Sequence, residues 1–246
     1  MEPIYSIIIP AYNEERWLPK TLTDIKQAMA TIPLAAEIIV CDNNSTDATA
    51  AVAEQLGAKV VFEPYNQISR ARNNGARQAR GKYLIFVDAD TSISSGLLQT
   101  ALNNLQSGHC CGGGAIVALD GEITSVERLG LWWWNQLSMR LRVAAGCFVY
   151  CLREDFESIG GFSEAVYASE ELWFSRCLHR LGKKRNMPFC IIKEFSALSS
   201  GRKAQWYSPG RQFLLLLLLL LFPFLVRYRR FCSFWYTRPE NKPGDK

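Results

Sequence analysis

Asp88-Ala89-Asp90 closes the apolar run Tyr83-Leu84-Ile85-Phe86-Val87, which delivers two carboxylates to the end of a buried strand. Residues i and i+2 of an extended segment project the same way, so both acids can face one ligand. Hard carboxylate oxygens suit Mg2+ or Mn2+, ions held by one or two carboxylates and completed by substrate phosphates. The expected chemistry is that of a nucleoside diphosphate and its metal. Taken alone, Asp-x-Asp after a strand reads more simply as a solvated turn. Its neighbours must decide.

Stepping outward, Tyr5-Ser6-Ile7-Ile8-Ile9, ended by Pro10, reads as a strand leading into the polar turn Ala11-Tyr12-Asn13-Glu14-Glu15. Trp17, Leu18, Leu22, Ile25 and Met29 then recur at helical spacing. Ala36 to Cys41 is a second strand, closed by Asp42-Asn43-Asn44-Ser45-Thr46-Asp47, in which Ser45 or Thr46 can cap an Ala-rich helix running to about Leu56. Lys59 to Phe62 is a third strand, and Ile68 to Ala79 a helix rich in Arg and Asn. This β-α-β-α-β-α-β alternation predicts an α/β fold, a mostly parallel sheet flanked by helices. Ligands of such sheets bind beyond the carboxyl ends of the strands, where all three polar clusters fall. Neither Gly-x-Gly-x-x-Gly after the first strand nor Gly-x-x-x-x-Gly-Lys occurs, so phosphate charge is left to metal and side chains.

The 246 residues, 48% hydrophobic and 21% charged, suit one globular domain with an appendage. The net charge of +5 is uneven, since Arg202, Lys203, Arg211, Arg227, Arg229, Arg230 and Arg238 crowd the last fifth. That fits an anionic surface or substrate rather than nucleic acid, for which no signature occurs. The eight cysteines sit mostly in apolar stretches and read as buried reduced thiols. Cys147 and Cys151 read as core residues on one strand face, not metal ligands. Without a signal sequence at its start, the chain is expected in the cytoplasm.

Ser6 to Glu15, Glu37 to Asp47, Ala71-Arg72-Asn73-Asn74-Gly75-Ala76 and Phe86 to Asp90 together resemble the family 2 glycosyltransferases of the GT-A (Rossmann-like) fold. Arg153 to Glu164 resembles that family's acceptor-side Gly-Gly-Phe loop, and Ser169-Glu170-Glu171 stands in place of its Glu-Asp motif. The resemblance implies a hexosyltransferase using a UDP- or GDP-linked sugar with Mn2+ or Mg2+. Pro10, Tyr12 and Glu14 would line the base and ribose, and Asp42 would hydrogen-bond the base. Arg72 would approach the diphosphate or base, or else be a solvated helix charge. Asp88 and Ala89 would meet the donor, Asp88 and Asp90 the metal, and Gly160, Gly161, Phe162 and Glu170 the acceptor side. Glu171 would be the base of an inverting transfer, with Glu170 its rival. The family usually has Asp at that position. No Gln-x-x-Arg-Trp occurs, which favours single-sugar transfer. The competing readings are a non-catalytic nucleotide-sugar-binding scaffold and a sugar-nucleotide nucleotidyltransferase, which would want a Gly-rich loop where Ala11 to Arg16 has no Gly.

The expected organisation is a catalytic domain at 1–203 and a membrane-associating helical extension at 204–246. The apolar stretch from Phe213 to Val226 has 14 residues, about 21 Å as a helix, short of the roughly 30 Å hydrocarbon core. With Arg and aromatic flanks it reads as peripheral contact through 206–230 with the cytoplasmic face of a membrane, ahead of a buried helix or dimer contact. The acceptor is then a sugar, a small molecule or a lipid-linked group. Leu129 to Met139, with Trp132-Trp133-Trp134, reads equally as an acceptor or membrane surface and as a buried helix.

Overall fold

The computed structural model describes residues 2–121, 123–202, 218 and 221–236. The expected strands and helices form in the expected order. β1 (Tyr5–Ala11), β2 (Ala36–Asp42), β3 (Lys59–Phe62) and β4 (Tyr83–Val87) are parallel, separated by α1 (Leu18–Ala30), α2 (Thr49–Gln55) and α3 (Ile68–Arg77). β5 (Thr91–Ser92), α4 (Ser95–Gln106), β6 (Gly112–Leu119), α5 (Ser125–Leu141), β7 (Phe148–Leu152), α6 (Arg153–Ser158), α7 (Glu170–Lys184) and β8 (Phe189–Ser199) complete the sheet and its cover. Strand order is β3-β2-β1-β4-β7-β6-β8-β5, with β7 antiparallel to β4 and β6.

Alternation along the strands builds two cores. Ile7, Ile9, Val40, Ile85, Val87, Phe148 and Tyr150 face α1 and α4. Ile8, Ile39, Leu84, Phe86, Val149 and Cys151 face Phe156 of α6 and Phe174 and Leu178 of α7. Cys147 precedes β7 and falls in the first core while Cys151 falls in the second, so the two thiols do not share a face as expected. The helix after β2 is not capped by Ser45 or Thr46: Asp47 Oδ1 accepts from Thr49 N, and Ser45 Oγ accepts from Asn13 N, tying two site loops together.

The sheet curls. β5 begins just past the Asp88-Ala89-Asp90 corner yet pairs antiparallel with the end of β8, Thr91 opposite Ser199. That pairing returns the chain after β8 to the corner, where Ser200 N donates to Asp90 O. At the far end of β8, Cys190 forms a disulfide with Cys110, correcting the expectation that all cysteines are reduced. Adjacent residues point to opposite sides. Cys111 therefore enters the core while Cys110 meets β8, a pairing hidden by the Cys110-Cys111 repeat.

Most of the leucine-rich stretch from 213 lies outside the described residues. The described tail comprises two 3-10 turns, Pro223–Arg227 and Arg229–Cys232, and the short helix α8 (Ser233–Tyr236). Val226, Cys232 and Tyr236 pack with Val166 and Ala168, and Tyr167 N donates to Val226 O. Among the described residues no helix is long and apolar enough to cross a membrane.

The Gly-Gly-Phe loop takes its shape from two left-handed glycines, Gly160 at φ +78° and Gly161 at φ +73°. Asn73 pins it, accepting from Phe162 N and donating to Phe162 O. A Cβ on Gly160 meets nothing within 4 Å, whereas one on Gly161 would stand 2.7 Å from Asn73 Oδ1 and 2.9 Å from Phe156 Cζ. Gly160→Ala should therefore cost about 1–2 kcal/mol of backbone strain, and Gly161→Ala about 1–3 kcal/mol more through overpacking. Urea unfolding of the two variants checks the order; equal costs would contradict it.

Candidate active site

The carboxyl ends of β1 and β4 and the tail line a cleft. Of the residues singled out in the sequence, Pro10, Tyr12, Glu14, Asp88, Ala89 and Asp90 line it. Asp42 is buried behind it, its Oδ1 accepting from Ser45 N, and the adjacent Asn43 lines the cleft instead. Phe162 does not offer its ring to an acceptor: it is 1% exposed, stacked on Phe174 and lying under Arg72. The ring anchors the loop in the core.

Two guanidiniums organise the acids. Arg72 projects from α3 and is 2% exposed, which excludes a solvated helix charge. Its Nη2 donates to Asp88 Oδ1 at 2.8 Å and to Gly146 O, and its Nη1 to Glu170 Oε1 at 2.7 Å. Burial works against the Arg72 charge, but Asp88 and Glu170 outweigh it and hold the pKa above its ordinary value. Arg202, just past β8, sends Nη2 to both Glu14 oxygens, at 2.5 and 2.6 Å, and to Asp90 Oδ2 at 2.9 Å. The Arg202 guanidinium also lies over the Trp17 ring. Asp88 and Asp90, two residues apart in sequence, thus have different cationic partners.

Glu170 and Glu171 open α7 after Ser169, whose φ of +62° turns the chain into the helix. Adjacent helical residues do not share a face. Glu170 is buried and committed to Arg72. Glu171, half-buried, makes no ion pair among the described residues. Burial first and the Glu170 charge second push its carboxyl up to about 8, with Arg72 pulling the other way.

The oxygens of Asp90 and Asp88 are the donor chemistry a hard divalent ion takes, and the Arg202 contact marks Asp90 as a place that needs a cation. Among the described residues these acids do not converge with a third as a closed protein cage. That fits an ion completed by phosphate oxygens, the usual arrangement for Mg2+ and its relatives.

Sequence reasoning did not find Arg202 as a site residue, nor Asn66, Ile68, Trp235 and Tyr236, which also line the cleft. Asn43 lay inside a quoted motif. The tail residues carry no local signal, since only the fold brings them back: Tyr236 Oη accepts from Ile68 N, and Arg229 Nη2 donates to Asn66 Oδ1.

A curled sheet with an acidic corner after β4 is the GT-A glycosyltransferase architecture. Among solved structures, Staphylococcus aureus TarS 1-349 in complex with UDP aligns at TM-score 0.60 and 19% identity, over 81% of this chain and 60% of that one. The mannosyltransferase PcManGT of Pyrobaculum calidifontis, in complex with GDP-Man and Mn2+, aligns at TM-score 0.61 and 20% identity, over 81% and 57%. Residues 6–151 match Glycosyl transferase family 2, and the chain belongs to that family. An uncharacterized glycosyltransferase of Mycobacterium tuberculosis is 37% identical over 103 residues, 42% of this chain and 44% of that protein. A 4,4'-diaponeurosporenoate glycosyltransferase of Staphylococcus haemolyticus is 38% identical over 97 residues, 37% of this chain and 25% of its own length. The matched stretch thus spans less than half of these curated relatives.

Removing Arg72 leaves Asp88 and the buried Glu170 without their shared counter-ion. Arg72→Ala should cost about 3–5 kcal/mol of stability. Arg72→Lys should recover only part, because an ammonium cannot reproduce the planar fork that bridges two carboxylates. Chemical denaturation measures both, and an Arg72→Ala protein as stable as the parent would contradict the bridging role.

Proposed function

We propose that this chain transfers a single sugar from a UDP- or GDP-linked donor to an acceptor hydroxyl, with inversion at the anomeric carbon and Glu171 as general base. The observation that carries the assignment is the division of labour at the start of α7: Arg72 occupies Glu170 and leaves Glu171 unpaired among the described residues. A base must be able to accept a proton, and a carboxylate already neutralised by a buried guanidinium is a poor one. The raised pKa of Glu171 suits that task near neutral pH.

The donor would lie along Pro10, Tyr12 and Glu14, with Asp42 and Asn43 behind the base. Trp235 and Tyr236, which line the same cleft, add an aromatic wall on which a base can stack. Asp90, with Asp88 and Ala89 at the corner, would hold Mn2+ or Mg2+, which when bound neutralises charge on the departing diphosphate. Arg202 brings a second positive charge to the same place. The Gly160-Gly161 turn and Glu170 would shape the acceptor side, Phe162 acting from within the core. A sugar-binding scaffold would have no use for an unpaired carboxylate held at raised pKa, which favours an enzyme.

A lipid-linked or membrane-proximal acceptor is the finer part of this reading, with peripheral attachment to the cytoplasmic face through 206–230. Support comes from the described part of that stretch, where Leu221, Phe222, Phe224 and Tyr228 are exposed beside Arg227, Arg229 and Arg230. Residues 203–217 lie outside the described residues.

Glu171→Gln should lower sugar transfer by about 10²- to 10⁴-fold with donor binding intact, as read by turnover assay and calorimetry. Retained transfer would refute the base. In the parent, kcat/KM should rise with pH to a limb at about 8. The folded protein keeps this proton to about pH 8, whereas the carboxyl ordinarily releases it near 4.5. Between those values folding takes up a proton, so stability falls as pH rises, by at most about 1.4 kcal/mol per pH unit. Glu171→Gln should remove that fall; thermal melts at pH 5 to 8, about the window named, test it.

A further inference from the structure

α5 sends an apolar stripe outward and places two polar side chains on its inward face. Its inward face carries Asn135, which exchanges two 2.9 Å hydrogen bonds with the Val117 backbone of β6, and Ser138, the one fully buried residue of the helix. Leu131, Trp134 and Met139 are half-buried beside them, but the other large apolar residues point away. Val126, Leu129, Trp133, Leu137 and Leu141 follow helical i, i+3 and i+4 spacing and form one stripe. Trp132 flanks it, edge-on to Trp133. These six side chains are between 46% and 73% exposed, more apolar surface than a helix packed on a sheet leaves in water. The reading of this segment as a buried helix is therefore set aside.

We infer that this stripe lies in the interface of an anionic lipid bilayer. Charge selects that occupant. Exposed Arg128, Arg140 and Arg142 stand near the two ends of the helix, and its only acid, Glu127, is used in the capping box with Thr124. A helix about 25 Å long with an outward Trp and Leu stripe and terminal arginines has the composition of a helix that lies in the membrane plane. Trp residues prefer that depth, where the indole body is apolar and its N–H meets headgroups.

The position of α5 connects this surface to chemistry. The chain leaves the helix through Val143 to Cys147, where Ala144 N donates to Ser175 Oγ of α7, Gly146 O accepts from Arg72 and Cys147 O accepts from Asp88 N. A helix embedded in the interface would therefore hold the acidic corner near the bilayer, through the segment that joins the two. The acceptor class that follows is an amphiphile whose hydroxyl or phosphate head stands at the headgroup level. This last step rests on the glycosyltransferase reading; the surface itself does not.

The test is co-sedimentation of the full chain with vesicles of phosphatidylcholine alone and with about 30% phosphatidylglycerol. The chain should partition onto the anionic vesicles, and Trp132→Ser with Trp133→Ser should lower partitioning at least about tenfold. Arg140→Gln with Arg142→Gln should reduce the preference for anionic lipid. Melting temperature and UDP or GDP binding serve as controls and should not change. Equal partitioning of the Trp variant and the parent, or no parent binding to either vesicle, would overturn the inference. A parent dimer that the Trp substitutions dissociate would assign the stripe to a second copy instead. Vesicle binding without any nucleotide binding would support the surface while removing the donor reading, so the two fail separately.

Discussion

Too many negative charges meet at one corner of this protein for them to hold without cations. Glu14, Asp88, Asp90, Glu170 and Glu171 converge from β1, β4 and α7, and Glu14, Asp90 and Glu170 are largely removed from water. Burying an unpaired carboxylate costs several kcal/mol, so the corner exists only because Arg72 and Arg202 enter it. Each guanidinium joins elements far apart in sequence: Arg72 ties α3 to the β4 corner and the start of α7, and Arg202 ties the end of β8 to β1 and the same corner. Among the described residues the arrangement leaves Glu171 in the negative field without a dedicated cation, which is why we propose it as the base.

The curl of the sheet makes those pairings reachable. Because β5 follows the acidic corner and pairs with β8, Arg202 reaches Asp90. The first core fixes β1 and β4, and the second fixes α7 through Phe156, Phe162 and Phe174. Phe162 shows how closely packing and site are joined, since its ring fills the second core and also supports the Arg72 guanidinium. The tail continues the logic by supplying Trp235 and Tyr236 to a cleft that β1 and β4 begin.

The parallel half of the fold was legible because its strands are continuous apolar runs separated by helical periodicity, a pattern that depends only on local sequence. So were Pro10, Tyr12, Glu14 and the Asp88 to Asp90 corner, which sit at strand ends. What was not legible depends on the second half. Arg202 looked like one cation of a basic tail until the β5–β8 pairing carried it to the corner. Arg72 left two readings open because helical spacing does not say which face is buried. Trp132-Trp133-Trp134 was ambiguous for the same reason, and the fold splits the triplet, leaving Trp132 and Trp133 exposed and Trp134 half-buried. Cys110 escaped notice because the sequence shows its neighbour, not its partner across the sheet.

We propose that the acidic corner is a metal-assisted nucleoside-diphosphate site. Calorimetric titration of UDP and of GDP into the purified protein, each with Mn2+ and with EDTA, and repeated on Asp90→Ala, tests it most directly. One nucleotide should bind with Mn2+, EDTA should weaken that binding, and the substitution should remove the metal dependence. Absence of binding by both nucleotides in every condition would contradict it.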